Sequence, residues 1–63
     1  MFKLEFSTDN AAFNEGGENG RFYEVADILL RVAQCVQAGA LGGAVQDSNG
    51  NTIGRWSLSE DEL

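Results

Sequence analysis

The chain opens with apolar and polar residues in strict alternation. The apolar positions are Phe2, Leu4 and Phe6, and a polar residue follows each of them. Such a period of two is typical of a β-strand that turns one face toward the core. The pattern therefore predicts a strand over residues 2–7.

Residues 21–38 form the longest periodic segment, because apolar residues recur there every three or four positions. At 100° per residue these positions make one continuous face of a helix of about five turns. Gly39 follows the segment and is the predicted C-terminal cap. The predicted core positions on this face are Phe22, Val25, Ala26, Ile28, Leu29, Val32, Ala33 and Val36.

An Asn-Gly pair at positions 49–50 separates two strand-like runs, and this is a strong local signal for a β-hairpin. It places a hairpin over residues 44–58. Residues 8–20 predict an acidic loop that starts with a brief helical turn, and residues 59–63 predict a frayed acidic tail. Together the elements predict a single α+β domain. In it, one amphipathic helix packs on a three-stranded, mostly antiparallel sheet, in the chain order β-α-β-β.

The last predicted strand contains a conflict of parity. Ile53 and Trp56 are separated by an odd number of residues, so they cannot both face the core of a regular strand. A bulge at Gly54 reconciles them and buries Trp56, because glycine accepts the backbone conformation that a bulge requires. The alternative is an exposed Trp56, which favours a role in an interface.

The charge balance limits the classes of partner. Ten carboxylates oppose four Lys and Arg residues, and the formal net charge is -6. Nucleic acid and anionic membranes are poor direct partners for such a chain, whereas a basic protein surface is a suitable one. The most strongly apolar run, residues 28–30, is too short to span a bilayer, and residues 1–5 lack the pattern of a signal peptide. We therefore expect a cytoplasmic protein.

The residue types that most often perform catalysis are scarce. There is no histidine, and Cys35 is the only cysteine, so the usual general bases and nucleophilic dyads are missing. Cys35 lies within the helical pattern, which predicts a small buried or half-buried apolar side chain. The carboxylates fall mainly in loops, where nothing desolvates them. We expect no enzyme activity, no cofactor and no metal.

The segment 47–51 resembles a calcium-binding loop, since oxygen-bearing side chains recur at alternate positions. The resemblance then fails, because Thr52 stands at the position of the loop glycine and Leu58 at that of the bidentate glutamate. A hairpin turn is the favoured interpretation.

Four residues of the predicted helix, here called the contact stripe, succeed one another at spacings of four, three and four. They are Tyr23, Asp27, Leu30 and Gln34. This spacing places them on one line beside the predicted core face. The stripe either pads the junction between helix and sheet, or it contacts a partner.

Carboxylates are spread over three parts of the chain. Asp9, Glu15 and Glu18 lie in the loop, Glu24 and Asp27 on the predicted polar face of the helix, and three more in the tail. They form either a solvated surface or a docking surface steered by charge. In the second case the carboxylates stand in for phosphates on a basic site built for nucleic acid.

Three segments resemble short acidic proteins encoded by phages and prophages. They are the strand at residues 2–6 with Asp9-Asn10-Ala11-Ala12-Phe13 after it, the helix segment 25–29, and the hairpin segment 47–54. Some proteins of this kind are anti-CRISPR proteins, which bind the type I surveillance complex and occlude its DNA-binding surface. The resemblance implies an inhibitor that acts in the cytosol of the host cell.

Two functional hypotheses follow from the sequence. The first is an inhibitor or modulator that docks its acidic surface and the contact stripe on a basic, nucleic-acid-handling protein. The alternative is a structural or assembly module that forms a homodimer through its exposed apolar stripe.

Overall fold

The computed structural model describes residues 1–14 and 17–59, apart from the side chain of Glu18. The strands are β1 (Phe2–Phe6), β2 (Gly42–Gln46) and β3 (Thr52–Leu58), and the helix is α1 (Gly20–Gln37). Two 3-10 turns, Ala11–Phe13 and Gly17–Asn19, connect β1 to α1. The structure confirms the predicted α+β fold, with one helix and a three-stranded antiparallel sheet.

The last strand of the chain is the centre of the sheet. The strand order is β1-β3-β2, and β3 pairs antiparallel with both of its neighbours. Leu4 of β1 and Gly43 of β2 both lie opposite Trp56. The three strands therefore place Trp56 in the middle of the sheet, where its side chain is buried.

A bulge in β3 resolves the conflict of parity, as predicted. Val45 pairs with Gly54 and Gln46 pairs with Thr52, so Ile53 has no opposite residue on β2. The bulge lets Ile53 pack against the core although Trp56 is also buried. A Cβ at position 54 would overlap the Glu5 carbonyl oxygen. Glycine is required there because β1 approaches the backbone so closely.

The C-terminus of α1 is closed by Gly39, as predicted. Gly39 adopts a positive φ of 96°, a conformation that glycine accepts without steric cost. The Gly39 N–H donates to the Val36 carbonyl at 3.0 Å, and the Ala40 N–H donates to the Cys35 carbonyl at 3.1 Å. This pair of bonds is the Schellman motif, and it satisfies carbonyls that the helix end leaves free.

The core combines residues from the helix, the sheet and the first 3-10 turn. Phe13 stacks on Phe6 with ring centroids 6.4 Å apart, so the short turn closes one end of the core. The buried apolar side chains are Ala12, Phe13, Ile28, Val32, Val45 and Trp56.

The prediction of the core face of α1 is wrong at half of its positions. Phe22, Ala26, Leu29 and Ala33 are exposed, whereas Ile28 and Val32 are buried and Val25 and Val36 half-buried. The buried side of the helix is rotated toward Glu24, which is itself buried. The sheet and the first 3-10 turn cover only part of the apolar arc, the part that contains Ile28 and Val32.

Candidate functional site

The hairpin turn is organised around Asp47, whose side chain is buried. Its carboxylate accepts hydrogen bonds from the backbone N–H groups of Asn49 and Asn51, both at 2.9 Å. It also accepts hydrogen bonds from the side-chain amides of Asn51, at 3.3 Å, and of Asn10. These four donors occupy the carboxylate, so Asp47 ties the turn to the loop after β1.

Two opposing effects act on the pKa of Asp47. Burial raises the pKa, while the hydrogen bonds from Asn51, Asn49 and Asn10 lower it, and the net result is a pKa below its ordinary value of 3.8. The group is ionised at neutral pH and acts as an acceptor. Gly50 completes the turn with a φ of 86°, and its N–H donates to the Asp47 carbonyl at 3.1 Å. The interpretation of this segment as a hairpin turn is confirmed.

Glu24 is part of the same structural cluster. Its side chain is buried, and Oε2 accepts a hydrogen bond from the Ser48 N–H at 2.7 Å. The placement of Glu24 on the polar face of the helix is therefore wrong. Through this bond to the Ser48 N–H, Glu24 joins α1 to the hairpin turn. It is not available to a partner.

All four residues of the contact stripe are exposed on α1. Tyr23 is 70% exposed and Leu30 is 64% exposed, so neither pads the junction between helix and sheet. Asp27 Oδ2 lies 3.2 Å from Arg31 Nε. This is an ion pair without hydrogen-bond geometry, because Arg31 Nε has no hydrogen-bond partner. Such a surface pair contributes little to stability.

Arg31 joins the contact stripe to the sheet. Its Nη2 donates a hydrogen bond to the Gln46 carbonyl of β2 at 3.0 Å. Arg31 therefore contacts both β2 and Asp27, the stripe residue that lies between Tyr23 and Leu30.

A second exposed set on α1, here called the outer apolar face, was assigned to the core by its periodicity. It consists of Phe22, Ala26, Leu29 and Ala33. Phe22 is 61% exposed and Leu29 is 49% exposed. The sequence did carry a signal for this surface, since spacings of four, three and four also match a coiled-coil seam.

Cys35 is exposed, so the prediction of a buried or half-buried thiol is wrong. It borders a groove of about 170 Å³ between α1 and β2. Arg31 is the one charged residue in the lining of this groove, and it is already bonded to Gln46. The remaining lining residues are Ile28, Val32, Ala44, Val45, Gln46 and Trp56.

The predicted acidic surface is described only in part. Glu15, the side chain of Glu18 and the tail residues 60–63 lie outside the described residues. Of the carboxylates within them, Glu24 and Asp47 are used inside the fold, and Asp27 is paired with Arg31. Across residues 1–14 and 17–59, no group of three His, Cys, Asp or Glu residues has the proximity needed to hold a metal ion.

The longest helix of the described ranges is α1, at 18 residues. Neither α1 nor any other helix in the described part of the chain is long and apolar enough to cross a membrane. Comparison with protein family models, curated proteins and solved structures finds no match for this chain.

Proposed function

We propose that this protein is a non-enzymatic binding protein that docks the contact stripe of α1 on another protein. The observation that carries the proposal is the exposure of Tyr23 and Leu30, two large side chains that lie on one line of the helix about two turns apart. Asp27 and Gln34 lie on the same line and are also exposed. An aromatic and an aliphatic anchor with polar neighbours is the usual composition of a non-obligate interface.

The helix presents these side chains in a fixed geometry. α1 is anchored at its inner side by Ile28 and Val32, and at the turn by Glu24. A tyrosine on such a helix loses little conformational entropy when it binds, because it has few rotatable bonds. The stripe is therefore preorganised for binding, which reduces the entropic cost of association.

The partner that fits this protein is a basic protein surface. A net charge of -6 attracts such a surface over distances of about a Debye length, or roughly 10 Å at 0.1 M salt. The proposal extends to a nucleic-acid-binding subunit of a host defence complex, inhibited in the manner of a phage-encoded anti-CRISPR protein. In that case the protein acts in the cytosol of the host.

The experiment is affinity capture from a bacterial lysate with the wild-type chain and the double variant Tyr23→Ser/Leu30→Ser. Both side chains are exposed, so the double variant keeps the core intact. Leu41→Ser is the matched control, because Leu41 is 65% exposed and lies outside α1. We expect the wild type and the control to capture a nucleic-acid-binding protein, and the double variant to lose it.

Two further measurements test the mechanism. Capture is expected to weaken as salt is raised from about 0.1 M to about 0.5 M, because screening shortens the range of the attraction. The captured partner is expected to bind its nucleic acid less tightly when the wild-type chain is added. A partner with no nucleic-acid-handling role, or one retained equally by the double variant, would contradict the proposal.

A further inference from the structure

The outer apolar face is not used by the proposed docking of the contact stripe. Phe22 and Leu29 are large, apolar and exposed, and Ala26 and Ala33 lie between and beyond them. The spacings of four, three and four keep all four residues on one line of the helix. A purely apolar line resembles the buried centre of an interface, where charged residues are depleted.

The charges of α1 are arranged to leave this line free. The positions that flank it are Tyr23, Leu30 and Gln37 on one side and Val25 and Val32 on the other, all of them uncharged. The charged residues of the helix occupy the remaining positions: Arg21, Glu24, Asp27 and Arg31. Two copies of an acidic chain can therefore bring these faces together without placing like charges in contact.

The sizes of the four side chains favour one orientation. Large residues, Phe22 and Leu29, alternate with small ones, Ala26 and Ala33. When two such helices run antiparallel, each large residue meets the small residue of the other copy, and the surfaces interdigitate. In a parallel pair, large residues meet large ones and alanines meet alanines, which leaves gaps.

We infer that α1 pairs antiparallel with α1 of a second copy of this chain through the outer apolar face. The two large and two small side chains of this face offer less area than the roughly 800 Å² per partner of a standard interface. The dimer is therefore weak and depends on protein concentration.

The test is sedimentation equilibrium of the full chain over about 5–500 µM, a range in which an interface of this size forms and dissociates. A reductant is present because Cys35 is exposed and would otherwise cross-link copies. We expect a reversible dimer whose dissociation constant rises at least about tenfold in Leu29→Asp. Leu41→Asp is the matched control, since it places the same charge at an exposed leucine off the face.

A second variant tests the antiparallel packing. Ala33→Leu adds apolar surface, so unspecific association would become tighter. In the antiparallel pair the added atoms meet a large residue of the other copy, and we expect the dimer to weaken at least about threefold. Thermal melts of each variant at low concentration verify that the domain is folded.

Three outcomes would overturn the inference: a monomer over the whole range, a dimer that Leu29→Asp leaves unchanged, and a dimer that Ala33→Leu tightens. A monomer would not contradict the proposed function, because the capture experiment measures binding of another protein through Tyr23 and Leu30.

Discussion

On the inner side of α1 a carboxylate is buried, and on the outer side large apolar groups face solvent. Glu24 lies against the hairpin turn with Ile28 and Val32 as its neighbours along the buried side. Phe22 and Leu29, on the outer side, are 61% and 49% exposed. Polarity alone places Glu24 on the outer side and Phe22 and Leu29 on the inner side, the reverse of what the structure shows for these three residues.

The difference follows from what packs against each side of α1. On the inner side, Glu24 Oε2 accepts a hydrogen bond from the Ser48 N–H, and a hydrogen bond to a charged group contributes about 1.5–3 kcal/mol. Ile28 and Val32 pack in the core on that side, whereas the outer apolar face is exposed.

The largest expected effect separates two adjacent residues of α1. Ile28 is 1% exposed, so Ile28→Ala leaves a cavity and is expected to lower the free energy of unfolding by about 2–4 kcal/mol. Leu29→Ala is expected to cost less than about 1 kcal/mol in dilute solution. Urea unfolding followed by Trp56 fluorescence measures both. Equal costs would contradict the assignment of inner and outer sides.

A smaller effect tests the role of Glu24. Glu24→Leu removes the acceptor of the Ser48 N–H and is expected to cost about 1–3 kcal/mol, although leucine is more apolar. Glu24→Gln retains an acceptor oxygen and is expected to recover most of that loss. Asp27→Asn, on the exposed side, is the control and is expected to change stability by less than about 0.5 kcal/mol. A more stable Glu24→Leu variant would refute the proposed role of the carboxylate.

The pH dependence of unfolding sharpens the comparison at the turn. Folding lowers the pKa of Asp47, so its stabilising contribution is present above its ordinary pKa of 3.8. The contribution is lost as the pH falls through the lower pKa of the folded state. The measurement is the free energy of unfolding of the wild type and of Asp47→Asn from about pH 6 to pH 2. The difference between the two gives the contribution of the Asp47 carboxylate at each pH. A difference that does not shrink toward acid would be the contrary result.

The smallest effect concerns the exposed thiol. Cys35 is expected to react with a thiol reagent in the native state at a rate close to that in urea, because its side chain is exposed. Cys35→Ser is expected to change the free energy of unfolding by less than about 0.5 kcal/mol. A thiol that reacts only after unfolding would contradict the exposure of Cys35.

The fold was largely predictable from local patterns. Alternation at residues 2–6 marks β1, and Gly39 marks the end of α1. The parity conflict between Ile53 and Trp56 located the bulge at Gly54, since a regular strand cannot bury both. Each of these inferences depends on a constraint that acts within a few residues.

The surface of α1 was predictable only in part. The sequence sets Tyr23 and Leu30 apart from the core face because they lie off the centre of the apolar arc, but it leaves open whether they pad the junction with the sheet; the structure shows that they are exposed. Phe22 and Leu29 were assigned to the core because a helical wheel takes the centre of that arc as the buried direction. A helical wheel contains no information about how much of the helix surface the sheet covers.

The sequence by itself determined the elements of this protein, their order and the turns between them, because hydrophobic period and glycine conformation act locally. Only the tertiary structure decided which side of α1 is buried. That choice depends on contacts between residues far apart in the chain: Ile28 and Val32 pack in the core with Val45 and Trp56, and Glu24 accepts a hydrogen bond from the Ser48 N–H. A local pattern of apolar positions does not contain these contacts.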